Sequence, residues 1–460
     1  MTSARSAMEL NLTLPSSETP AFFDRQERIA WWDQSRLARG RILVVGAGAL
    51  GNEVLKNLSL LGVGRLLVID LDHIEESNLS RAVLFRTADA QTGAPKAAVA
   101  AGRARRLNPQ PGAVVRAMQG DVVWELGAGV FRHVDLVLGC LDNIEARQIV
   151  NKRCWQAGRT WIDGAMWELS GSVAVYDGDD EKACYECSMT PEHYAQARQR
   201  YSCMNATIKS HVQKGYEPTT QTTSAVVAAI QSQEAVKLLH GVASFPGQRL
   251  VFNGAPHFYN DADFTPMSMT GLTRNETCNC HAEPRYGEVL ELADATAAAT
   301  TAGALLARVM NTMGWSQARL ELGREFVLAA TCASCGRRQT LERPLHRLND
   351  VDLACPDCAV TCPTCGHESV GAVDCPNCGQ PDIFEPLLES INALSTLDEA
   401  YDEYAARPLA ALGSPSLDVL RVIGDERRDV YVELTGDVAE LWQADLQQPQ
   451  SAPALSIEEE

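Results

Sequence analysis

The sequence predicts an α/β fold: a mostly parallel sheet with helices on both faces, followed by a smaller α/β domain that carries an array of cysteine pairs. Three observations carry this. From Arg41 the chain alternates short apolar strands with amphipathic helices, the pattern of parallel strands joined by helical crossovers. A glycine turn, Gly46, Gly48 and Gly51, links the first strand to the first helix. Four C-x-x-C pairs fall between residues 332 and 380.

The elements follow in order. RILVVG (41–46) is a strand, and LGNEVLKNLSLL (50–61) is the helix that the glycine turn starts. GRLLVID (64–70) is the second strand, and GAPKAAVAAGRARRL (93–107) a helix opened by proline. AVVRAMQGD (113–121) and DLVLGC (135–140) are strands, and IEARQIVNKRCWQAG (144–158) is a helix ended by glycine. TWIDGA (160–165) and GSVAVYD (171–177) are strands. Strands this apolar are covered on both faces, which makes the sheet Rossmann-like. SAVVAAIQSQEAVKLLHG (224–241) is a long, largely buried helix stopped by glycine. Between Cys187 and Thr223 runs a polar stretch without periodicity, and loops of that length inside a domain are usually functional.

After Cys280 the character changes. Residues 283–330 read as strand, helix (GALLARVMNTMG) and strand (ARLELGREFVLAA), and residues 384–440 as further helix with a strand at DVYVELTGD. The expected organisation is a flexible lead-in over 1–24, a nucleotide-binding domain over 25–282 with a functional loop at 188–222, a second domain over 283–440 interrupted by cysteine pairs at 332–380, and a disordered acidic tail over 441–460.

The totals narrow the function. A chain of 460 residues with 45% hydrophobic and 22% charged residues has enough apolar material for a core of ordinary size. A net charge of −19 disfavours binding to nucleic-acid phosphates and leaves room for a basic protein partner. No apolar run approaches the ~20 residues that cross a bilayer. MTSARSAMELNLTLPSSETP lacks the apolar core of a signal peptide, so the expectation is a cytoplasmic protein. There, 15 cysteines arranged largely in pairs point to metal rather than to disulfides.

The glycine turn fits two ligands. A redox dinucleotide and ATP both need a close backbone approach and the free N–H groups of a helix start. Asp70 ends the second strand, where a carboxylate can accept from ribose. A triphosphate attacked by a carboxylate needs more, because an anion must approach an anion: cations and a metal at the reacting phosphate. The sequence offers Asn78 and Arg81, then Lys96 at the start of a helix, then Asp142, placed to ligate magnesium, with Asn143. Taken singly, Arg81 and Lys96 read as solvated surface charges. Taken as an ordered set at strand ends, they read as a phosphate site.

RQERI, GAGALG, NEVLKNLSLLG, VIDLDHIEESNLSRA, GAPKA and LDNIEARQIVNK, in that order, resemble the ubiquitin-activating enzyme family over roughly residues 25–282. That superfamily includes the adenylating enzymes for the sulfur carriers of molybdopterin and thiamine synthesis. The resemblance implies that Gly46, Gly48 and Gly51 hold the ATP phosphates and Asp70 the ribose. It implies that Asn78, Arg81 and Lys96 bind phosphates and that Asp142 positions magnesium. Arg28 matches the arginine that reaches the neighbouring subunit's site in the family's dimers, which implies a homodimer; by itself it reads equally as an exposed helix arginine. Ala82 stands where the family usually has glutamine, which puts one phosphate or substrate contact in doubt.

Cys203, in ARQRYSCMNATIKSHVQKG, lies in the polar loop among Arg198, Arg200, Lys209 and His211. Such neighbours lower a thiol pKa and favour the thiolate. Its place resembles that of the thioester cysteine of ubiquitin-activating members; the alternative is a non-catalytic loop cysteine. Cys140 and Cys154 read as buried packing.

Cys184 and Cys187 form a metal half-site, and the resemblance completes it with a second pair after the long helix. The available pair is Cys278 and Cys280, spaced C-N-C, tighter than the usual gap. The array Cys332, Cys335, Cys355, Cys358, Cys362, Cys365, Cys375 and Cys378 matches structural zinc ribbons. Chain order pairs the first four and the last four, and interleaved pairing stays open. His367 reads as a surface residue. By position alone, the second domain is a small α/β domain of the kind that recruits a conjugating enzyme in ubiquitin-type relatives.

The expected function is ATP-dependent activation of a ubiquitin-like protein with a C-terminal glycine. Adenylation is followed by a thioester on Cys203 and transfer to a conjugating enzyme. One alternative is a sulfur-carrier adenylyltransferase that forms no cysteine thioester. The other is a non-enzymatic zinc-ribbon scaffold that retains the nucleotide fold.

Overall fold

The structure, a computed structural model, describes residues 21–194, 219–254, 266–373, 375–378 and 386–442. Cys203 and its basic neighbours lie outside these residues, as do 1–20 and 443–460.

The first sheet has eight strands in the order β3-β2-β1-β4-β5-β6-β7-β8. They are β1 (Arg41–Val45), β2 (Arg65–Asp70), β3 (Val114–Gln119), β4 (Leu136–Gly139), β5 (Thr160–Trp167), β6 (Ser170–Tyr176), β7 (Gln248–Phe252) and β8 (Met267–Gly271). The pairs from β3 to β5 are parallel, and those from β5 to β8 antiparallel. The mostly parallel sheet expected from sequence is therefore present, with an antiparallel extension.

Successive strand side chains point to opposite faces, and β1 serves two cores at once. Ile42 and Val44 pack under the helices Ala49–Leu60, Lys96–Leu107 and Gln221–His240. Leu43 and Val45 pack with Phe131 and with Val150 and Cys154 of the helix Ile144–Ala157 on the other face. Ala97, Ala100, Ala101 and Ala104 form the buried stripe of the second helix, and their small side chains let it lie close to the sheet. The long helix starts where Thr220 accepts from Thr223 N–H and ends at Gly241 with φ 69°, a left-handed stop that glycine adopts without strain.

The second sheet runs β11-β10-β15-β16-β9, with β14 also paired to β10. Its strands are β9 (Val289–Leu292), β10 (Arg319–Thr331), β11 (Arg338–Pro344), β14 (Leu387–Ser395), β15 (Val419–Ile423) and β16 (Asp429–Leu434). Helix Ala302–Met313 buries Leu305, Leu306 and Val309 against it. A short hairpin, β12 (Ala359–Thr361) and β13 (Glu368–Val370), lies within the cysteine array. The array thus projects from a small α/β sheet. Among the described residues, no helix is long and apolar enough to cross a membrane.

The two sheets join through residues 127–133. Gly129 N–H donates to Leu417 O at 2.8 Å. Ala128 N–H donates to Asp418 Oδ1 at 3.3 Å, while Arg324 holds the other oxygen of Asp418 at 2.9 Å in a buried pair. Glu433, fully buried, is paired with Arg132 and with His133 Nε2. Trp124 stacks on His346 with ring centroids 5.1 Å apart.

His346 makes this junction acid-sensitive. Burial, with Arg324 and Arg347 nearby, pushes its pKa from 6.5 down to about 4. The unfolded chain then binds a proton that the folded chain refuses, so this contribution is intact above pH 6.5 and is lost as pH falls toward 4. A thermal-melt series from pH 7 to pH 4 should show a shallower acid loss in His346→Phe, which keeps a ring against Trp124, than in the parent chain. Parallel pH profiles would contradict this.

Candidate active site

β1 ends at the point where the strand order reverses: β2 lies on one side of it and β4 on the other. Ligands bind at such switch points, outside the carboxyl ends of the strands. Gly46 N–H donates to Ile69 O and Cys140 N–H to Val45 O, both at 2.8 Å, so three strand exits converge. The turn that follows is tight. Gly46 has φ 97°, and a Cβ there would stand 2.3 Å from Cys140 O. A Cβ at Gly51 would stand 2.0 Å from Gly46 O. Around Gly48 the space is open, which leaves backbone accessible to a phosphate.

Asp70 is fixed by this turn. Its Oδ2 accepts from Ala47 N–H at 2.6 Å and its Oδ1 from Asp72 N–H at 2.8 Å. Burial pushes its pKa up, and Lys96 opposes that rise. Lys96 opens its helix, donates its backbone N–H to Asp72 O, and pairs its ammonium with Asp72 at 2.9 Å. Its side chain is only 12% exposed, so it is not the free surface lysine that its sequence alone would allow.

Asn78 caps a short turn by accepting from Glu75 N–H, and Arg81 donates to Ser77 O at 2.8 Å. Asp142 is exposed just past β4. Asn143 is the N-cap of the next helix, its Oδ1 accepting from Ala146 N–H at 2.7 Å. The amide Nδ2 and the second lone pair of that oxygen are left for a ligand. Arg28 is 49% exposed and paired with Asp24 one turn earlier at 2.9 Å. Cys140 and Cys154 are buried, and burial raises both thiols well above the ordinary range.

Two buried polar groups escaped the sequence reading. Asn52 is fully buried in the glycine-turn helix. It donates to Ala47 O at 2.6 Å and Gly48 O at 3.0 Å, and accepts from Leu84 N–H at 2.9 Å. It thereby ties the turn to the segment that carries Asn78 and Arg81. Arg147 donates to Leu141 O at 2.5 Å, to Gly164 O at 3.2 Å and to Asp163 Oδ1 at 3.1 Å. It holds the carbonyl immediately before Asp142. Burial opposes the charge on Arg147, but Asp163, Tyr185 and Asp142 together outweigh it and raise its pKa, so the guanidinium is held protonated. The signal available in sequence was a lone amide or arginine on an otherwise core-facing stretch.

Among the described residues, cysteines form three clusters that could hold a metal ion. Cys332, Cys335, Cys355 and Cys358 form one, and Cys362, Cys365, Cys375 and Cys378 another. Sulfur separations are 3.7 Å in the first and 3.6 Å in the second. A tetrahedral zinc with Zn–S near 2.3 Å requires about 3.8 Å, so both sets fit structural zinc in chain-order pairing. His367 is exposed and outside the cluster, as expected. The third cluster contains Cys184, Cys187 and Cys278, without Cys280.

The doubly wound sheet and the glycine turn at its switch point define a Rossmann-like nucleotide-binding protein. The chain belongs to the ThiF family, which residues 23–281 match. It is 33% identical over 264 residues to a sulfur carrier protein adenylyltransferase of Thermus thermophilus, a match covering 56% of this chain and 88% of that protein. It is 41% identical over 150 residues to human ubiquitin-like modifier-activating enzyme 7, covering 31% of this chain and 15% of that protein. Among solved structures, E. coli MccB with ATP aligns at 19% identity and a TM-score of 0.45, covering 58% of this chain and 75% of that one.

Arg147 and Asp163 should behave as a unit. Arg147→Ala leaves a buried carboxylate unpaired, at a cost of about 3–5 kcal/mol, and the melting temperature should fall by on the order of 10 °C. The double variant Arg147→Gln, Asp163→Asn should lose less than the two single changes summed. Strict additivity in that double-mutant cycle would show that the pair does not act together.

Proposed function

We propose that this chain uses ATP to adenylate the C-terminal carboxylate of a ubiquitin-like or sulfur-carrier protein. The observation that carries the reading is the convergence of the glycine turn, Asp70, Lys96 and the Asp142 loop at one switch point. The phosphates lie along the turn and the helix start, and the ribose lies against Asp70. A carboxylate oxygen of the carrier bonds to the α-phosphorus while the bond to the bridging oxygen breaks, and pyrophosphate leaves. Two anions must meet, so the main task of the site is to spread charge and hold geometry. Arg81, Lys96 and Asn78 take phosphate oxygens, and Asp72 keeps the ammonium of Lys96 in place until they arrive. Magnesium held by Asp142 would neutralise charge across the phosphates. In a homodimer, Arg28 adds a further cation from the neighbouring subunit.

Cys203 then takes the acyl group: the thiolate sulfur bonds to the carbonyl carbon, and AMP departs. The thioester passes to a conjugating enzyme. Basic residues beside Cys203 in sequence support a thiolate there, and a reducing cytoplasm would keep it free. One observation favours a second reading, in which the adenylate goes to a sulfur donor without a thioester. The Thermus thermophilus relative, matched over 88% of its length, is named for sulfur-carrier adenylylation.

With a β-grasp carrier ending in glycine, the chain should catalyse ATP–pyrophosphate exchange, and Asp142→Ala or Arg81→Ala should cut it by about 10²-fold or more. Tight ATP binding with no exchange would support the scaffold instead. On a non-reducing gel, a thiol-sensitive carrier adduct that disappears in Cys203→Ala supports the thioester. Exchange without any such adduct supports the sulfur-carrier reading.

A further inference from the structure

The third cysteine cluster lacks a donor. Cys184 Sγ lies 3.8 Å from Cys187 Sγ and 3.6 Å from Cys278 Sγ. These three thiols lie within 4.8 Å of one another, and among the described residues no fourth His, Cys, Asp or Glu side chain meets that distance to all three. A closed structural zinc site needs a fourth ligand. Two candidates are at hand. Cys280 lies two residues after Cys278 in the same turn, and His281 Nε2 is 4.0 Å from Cys187 Sγ.

The local geometry separates them. Cys184 is the N-cap of the turn Tyr185–Ser188, which puts Cys187 at its third position. Cys278 is the N-cap of the turn Asn279–Ala282, which puts His281 at its third position. The cap and the third residue of a helical turn lie three positions apart and so face the same side, although neither cap side chain here makes a capping hydrogen bond. The second position faces elsewhere in both turns. Glu186 and Cys280 occupy it, are 7% and 1% exposed, and line one cavity of about 250 Å³ with Ile149 and Lys152.

His281 is also set up as a ligand. Its ring stacks on Trp155 with centroids 4.5 Å apart and planes 12° from parallel. Its Nδ1 is buried with no hydrogen-bond partner among the described residues. With Zn–N near 2.05 Å and Zn–S near 2.3 Å, a tetrahedral site requires an N···S separation of about 3.6 Å; His281 Nε2 stands 4.0 Å from Cys187 Sγ, and zinc binding would also draw it closer to the other two sulfurs, since it does not lie within 4.8 Å of all three.

We propose that this is a Cys3His zinc site, formed by Cys184, Cys187, Cys278 and His281, and that Cys280 lies outside the coordination sphere. Three thiols lose protons on binding and the imidazole binds neutral. The C-N-C spacing then needs no special explanation, because the second half-site is C-x-x-H. The assignment does not depend on the proposed reaction.

Metal content of the purified full chain tests it. The parent chain and Cys280→Ser should each hold three zinc ions, one per cluster. His281→Ala should hold two, and His281→Cys should return to three. A lost zinc in Cys280→Ser, or three retained in His281→Ala, overturns the assignment. Should His281→Ala fail to fold, cobalt-substituted parent and Cys280→Ser decide. Identical thiolate charge-transfer absorption is expected, and a loss equal to one thiolate contradicts the proposal.

Discussion

The site depends on one close backbone contact. The exits of β1 and β4 approach until Gly46 and Cys140 leave no room for a Cβ, and the helix after β1 starts against Gly46 O at Gly51. That approach follows from parallel pairing of β1 with both β2 and β4. It places the open N–H groups of a helix start beside Asp70 and the Asp142 loop. Without the two glycines the strand exits would separate, and the charged residues would have no common centre.

Around this contact, polar groups are wholly or partly buried and committed. Asp70 is spent on two backbone amides, Asn52 on two carbonyls and one amide, and Arg147 on the carbonyl before Asp142. An unmade hydrogen bond at any of them costs about 1–3 kcal/mol, which keeps the geometry fixed before a ligand arrives. Preorganised dipoles of this kind stabilise developing charge without reorganising at the moment of reaction. The cysteine sets would do similar work with metal bound. Two of them close short segments of the array, and the third brings the start of the polar loop, at Cys187, beside the connection that leads into the second sheet.

The sequence disclosed what repeats and hid what depends on tertiary contact. Strands β1 to β6 and their helices were legible because apolar runs and glycine stops mark them directly. Chain-order pairing of the eight ribbon cysteines could be favoured from spacing but not fixed, since sulfur proximity is a property of the fold. Asn143 also caps a helix through its side-chain oxygen, a role that needs only the next three residues. Asn52 was invisible because one amide in an apolar helix acquires meaning only from Leu84, far along the chain. The junction of the sheets, with Glu433 buried against Arg132 and His133, involves residues about 300 positions apart and left no trace in local pattern.

The central claim is that this switch point lets a carboxylate attack the α-phosphate of ATP. A carrier labelled with oxygen-18 in its C-terminal carboxylate tests it most directly. After turnover, mass spectrometry should find one labelled oxygen in the AMP released. Turnover that yields only unlabelled AMP would contradict the account.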